Sequence, residues 1–193
     1  MIKTDYLPIS AVFIATAVSL GFVLSGIPNL ELMTVTIFLG GYVLGKFYGS
    51  FIGLFSAVLW SSLNPWGSGL AYPSLFASQI LGFSVTGFSG GVVRLFINPL
   101  KIGLKDIIVF GLSGFILTLF YDIITNLGSI FLSGFNYNMI RNILIAGIPL
   151  SLFHIILNTF LFFTVLPTLI RKLARNGFLD KYINNNKMKY VKE

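Results

Sequence analysis

The chain has no cysteine, a single histidine and only six acidic residues among 193, and charged side chains make up 10% of it. Without cysteine there is no disulfide and no thiolate for catalysis or metal binding. With so little charge, the chain cannot cover itself with the polar surface that a soluble domain needs. What it has is apolar surface: 55% hydrophobic residues, a mean hydropathy of +0.89, twenty Phe and twenty Gly. That composition is that of an all-α integral membrane protein whose helices pack through small residues and turn aromatics to lipid. No stretch has a soluble domain's composition, so residues 1–193 read as one transmembrane domain with a basic tail over about 171–193.

Gly, Pro and polar clusters divide the apolar sequence into six runs. Leu7 to Ser25 opens at Pro8 and closes at Gly26-Ile27-Pro28-Asn29, and it reads as a retained helix because no small-residue cleavage site follows it. Leu30 to Leu44 is short for a span and ends at Gly45-Lys46-Phe47-Tyr48-Gly49; Phe51 to Leu63 then completes a tight hairpin and stops at Asn64-Pro65-Trp66-Gly67-Ser68-Gly69. Leu70 to Val93 is the fourth run and Asp106 to Leu132 the fifth. Ile143 to Ile170 is the sixth, with Pro149 and Pro167 expected to kink it.

Six spans place both termini on one side of the membrane. Twelve of the thirteen basic residues, from Lys3 and Lys46 through Arg94, Lys101 and Lys105 to the tail, fall on that side, and only Arg141 lies opposite. By the positive-inside rule both termini are expected in the cytoplasm. The same rule and the basic tail account for the net charge of +7, so no nucleic-acid partner is needed to explain it.

Against this apolar background a few polar residues stand out. Asp122, in Tyr121-Asp122-Ile123-Ile124-Thr125-Asn126, sits where a carboxylate costs roughly 2.5–3.5 kcal/mol even on the lower insertion scales, so it requires an enclosed polar place. It follows Lys105 by seventeen residues, about 25 Å of helix, and His154 precedes Arg171 by the same number on a helix of opposite direction. The two therefore share a height in the outer half of a core about 30 Å thick. Asn126 and Asn158 lie one turn from each, and Gln79 lies two turns from the outer end of the fourth helix. With Asn29, Trp66, Tyr72 and Tyr121 they form the expected ligand pocket, although interhelical hydrogen bonding and an interfacial aromatic belt would account for the same residue types. Glu31, at the start of the second helix, reads as a cap rather than a ligand contact.

With these residues in place the chain resembles the substrate-binding S component of an energy-coupling factor vitamin transporter. The resemblance is carried by the six short helices, by Ile27-Pro28-Asn29-Leu30-Glu31 leading to Gly40-Gly41-Tyr42-Val43-Leu44-Gly45, by Gly49 and Gly53, and by Asn64-Pro65-Trp66-Gly67. It implies a binding subunit in a prokaryotic plasma membrane, holding a vitamin-like small molecule beneath loops 26–30 and 64–69, with a corrinoid such as cobalamin one guess among several. It also implies docking on a membrane coupling protein through Ala11, Ala15 and Ser19, where family members often carry a bulkier group at the third position. Two partner ATPase subunits would use the ATP. This chain carries no Gly-rich loop ending in Gly-Lys-Ser or Gly-Lys-Thr, and no cofactor, metal or catalytic residue is expected in it.

Two other classes fit parts of the pattern. Gly111-Leu112-Ser113-Gly114 with His154 resembles the serine and histidine of an intramembrane rhomboid protease, but Ser113 and His154 differ in height by about 13 Å. A self-sufficient secondary transporter or channel is the other, and no inverted repeat is evident for the former.

Overall fold

A computed structural model describes residues 4–27, 29–65, 68–132, 136–179 and 182. Among them the chain is entirely helical: α1 Leu7–Leu24, α2 Met33–Leu44, α3 Lys46–Leu63, α4 Pro73–Val93, α5 Leu104–Leu132 and α6 Tyr137–Arg175, with short 3-10 turns at Thr4–Tyr6 and Gly69–Ala71. Four of these, α1, α4, α5 and α6, are long and apolar enough to cross a membrane, and the protein is membrane-embedded and multi-pass. The expectation of six spans is met only to that extent.

The difference lies in α2 and α3. α2 has twelve residues, and every one except Thr36 is buried. A helix that is apolar all round is stable only with protein on every side, which explains why this run is too short to cross lipid yet wholly hydrophobic. Gly45 alone separates it from α3, at a φ of 94° that favours glycine. α3 accordingly begins at Lys46, five residues before its expected start, and α6 begins at Tyr137 and runs unbroken through both prolines for 39 residues.

Glycine sets how closely α2, α3 and α4 approach. A Cβ on Gly41 or on Gly49 would fall on the carbonyl oxygen of Gly87, one on Gly53 on that of Phe83, and one on Gly90 on that of Phe38. These helices meet backbone to backbone, as small-residue packing in membranes allows. Around them sit the largest buried rings: Phe38 of α2 packs edge-on against Phe162 of α6 at 5.0 Å, and Tyr42 against Phe110 of α5 at 6.1 Å.

Successive helices run in opposite directions, so the start of α1 and the end of α6 share one end of the bundle. The Tyr6 ring lies 5.1 Å from that of Tyr48 and 5.3 Å from that of Tyr182. Arg94 ties this end together, donating from Nη1 to the Val43 carbonyl at 2.7 Å and from Nη2 to the Tyr182 carbonyl at 2.6 Å. The opposite end is left to the loops after α1 and α3, and the bundle is hollow there.

Candidate functional site

The hollow is a cavity of about 520 Å³ bounded by the C-terminal ends of α1, α3 and α5, the N-terminal halves of α4 and α6, and the loop that leads into α2. Its polar centre is a chain of three ionisable side chains from three separate segments. His154 Nδ1 lies 2.8 Å from Asp122 Oδ1, and its Nε2 lies 3.3 Å from Glu31 Oε1. Both contacts are hydrogen bonds at once when the imidazole carries both protons, since carboxylates only accept. All three side chains are shielded from solvent, and Asp122 Oδ2 has no hydrogen-bond partner among the described residues.

Glu31 is the residue whose place differs most from its expected one. α2 has no side-chain cap, and Leu32 occupies the N-cap position. The Glu31 carboxylate turns inward, accepting from Thr34 Oγ1 and, at 3.3 Å, from Asn158 Nδ2. The signal in the sequence was its position: a carboxylate two residues before a helix with no polar face has only the interior to turn to.

Of the expected pocket residues, Asn29, Gln79, Tyr121, Asp122, Asn126 and His154 all line the cavity. Gln79 Oε1 accepts from Ser61 Oγ at 2.5 Å. Asn126 turns its Nδ2 back to the Asp122 carbonyl at 2.8 Å. Asn29 adopts a left-handed φ of 58° and donates from Nδ2 to the Leu150 carbonyl at 2.6 Å, fastening the first loop to α6. Asn158 lies beneath the cavity, 1% exposed, and acts through Glu31. Tyr72 is 52% exposed at the start of α4 and does not line it. Trp66 lies outside the described residues, as do Pro28 and Gly67. Trp60, which the sequence reading passed over, forms part of the wall with Phe83 and Tyr121.

No family model, curated protein or solved structure matches this chain. The geometry must therefore carry the functional reading by itself.

It separates the serine-protease pattern from the rest. Ser113 is half-buried and donates to the Val109 carbonyl of its own helix at 2.7 Å, while Gly111 and Gly114 beside it receive Phe163 and Phe162. It lies nine residues before Asp122 on α5, about 13 Å of helix, and both nitrogens of His154 are engaged elsewhere. Ala11, Ala15 and Ser19 are all exposed along one face of α1, whereas Ser10, Ala17 and Gly21 face inward. Among the described residues no three His, Asp or Glu side chains are arranged to hold a metal ion.

Proposed function

We propose that this chain is the substrate-binding S component of an energy-coupling factor importer for a vitamin or related micronutrient. The observation that carries the reading is the open-mouthed cavity with a buried polar chain, at the end of the bundle away from the chain ends and edged by the two loops expected to gate it: Ile27, Asn29, Leu30 and Asn64 all line it. A small-molecule site is a concavity of about 300–1,000 Å³ with apolar walls and a few converging polar groups, and this cavity meets each condition. Its volume favours a compact heterocyclic vitamin over a corrinoid.

In this reading all six helices form the transmembrane bundle, both termini are cytoplasmic and the cavity opens outward in a prokaryotic plasma membrane. The unpartnered face of α1 at Ala11, Ala15 and Ser19 receives the membrane coupling protein, and two ATPase subunits on that protein supply the energy. The experiment is a binding titration of the purified chain against a vitamin panel, paired with uptake in cells with and without a coupling protein and its ATPases. Tight binding by the chain alone, with uptake only when the partners are present, is expected. Uptake by this chain alone would identify a self-sufficient transporter instead.

A further inference from the structure

The cavity carries a charge sign, and with it a ligand class. The ionisable groups of its wall are Glu31, Asp122, His154 and the Tyr121 phenol, with no lysine or arginine among the described residues that line it. Pro28, Trp66 and Gly67, in the two rim loops, carry no charge either. Two carboxylates face one imidazole, so with both carboxylates ionised the site is net negative even when His154 has both protons. The unanswered group is specific: Asp122 Oδ1 is taken by His154 at 2.8 Å, and Asp122 Oδ2 is buried without a hydrogen-bond partner among the described residues. A buried carboxylate oxygen without a donor is costly, and a ligand that brings the donor removes that cost. Beside it the Tyr121 ring packs against Phe83 at 4.8 Å, and Trp60 also lines the cavity, giving aromatic side chains suited to a flat cation.

We infer that the site selects a small planar nitrogen heterocycle that is positively charged and bears N–H donors, and that it rejects carboxylate- and phosphate-bearing ligands. One donor of the ligand meets Asp122 Oδ2, and its charge balances the second carboxylate. An anion would add a third negative charge to a site of low dielectric. The inference rests on the binding-subunit reading above and narrows it to one ligand class.

The test uses the full-length protein in detergent, with tryptophan fluorescence as readout because Trp60 lines the cavity. Thiamine serves as the cationic amino-heterocycle, riboflavin as the neutral planar one, and folate and pantothenate as anions. In parallel, a deproteinised bacterial extract is passed over the immobilised protein, and retained small molecules are identified by mass spectrometry. The expected result is a cationic heterocycle bound at least tenfold more tightly than any anion, with Asp122→Asn lowering that affinity at least tenfold and leaving the melting temperature within a few degrees. Glu31→Gln provides the same comparison if Asp122→Asn does not fold. Retention of an anion or of a neutral compound in preference, or a cation affinity unchanged in both variants, overturns the inference while leaving a binding subunit. Retention of nothing overturns the binding-subunit reading and this inference with it.

Discussion

Removing His154 takes a donor from two carboxylates at once, and Glu31 keeps Thr34 and Asn158. His154→Ala leaves Asp122 and Glu31 without their shared donor, so a double-mutant cycle of Asp122→Ala and His154→Ala on detergent unfolding should show a coupling of roughly 0.5–3 kcal/mol. Simple additivity would mean that the 2.8 Å contact contributes nothing to the fold. In binding, each single change should weaken the ligand about tenfold or more, the equivalent of roughly 1.4 kcal/mol. Asn29 separates backbone from side chain: Asn29→Gly keeps the left-handed turn and loses only the bond to Leu150, whereas Asn29→Ala also strains the backbone by about 1–2 kcal/mol. Both should speed ligand release, and Asn29→Ala alone should also lower the melting temperature. The Asp122 and His154 pairing was legible because helix rise converts a residue count into a height, and two counts from charged helix ends agreed. Glu31 was misread because a carboxylate near a helix start fits capping equally well, and only the burial of α2 on all sides distinguishes the two.

At the level of the helix, α1 and α4 lie at opposite extremes. The outward face of α1 at Ala11, Ala15 and Ser19 is exposed among the described residues, so Ala15→Trp should leave folding and ligand binding intact and abolish uptake in cells that contain the coupling module. Equal loss of binding and uptake would place Ala15 in the fold instead. α4 has no such tolerance. Gly87→Leu drives a side chain into the backbone of α3 at Gly49, where overpacking costs about 1–3 kcal/mol or more, and the expected outcome is loss of folded protein in size-exclusion chromatography. Hydropathy runs located all six helices, since apolar length is what such a reading detects. Their ends were less legible. The start of α3 depended on one glycine with positive φ rather than on the whole Gly45 to Gly49 cluster, and α6 began six residues early because Asn136 caps it, its side chain accepting from Asn138 and Met139.

For the molecule as a whole, sidedness follows from where the basic residues collect. A reporter fused after Glu193 should be cytoplasmic and one inserted near Asn138 external, measured by alkaline phosphatase and fluorescent-protein fusions. An external C-terminus would reverse the cavity and α1 together. The glycine contacts among α2, α3 and α4 also bear on how such a protein can work. Where helices touch through backbone, no rotamer can change to let one slide past another, so these three form a single stiff block. The cavity has that block on one side and α5 and α6 on the other, with α1 and the rim loops across its mouth. Whatever breathing admits and releases a ligand falls to the second wall and the mouth. In the proposed binding role the molecule is a fixed half and a compliant half, and a ligand is held when the second closes on the first.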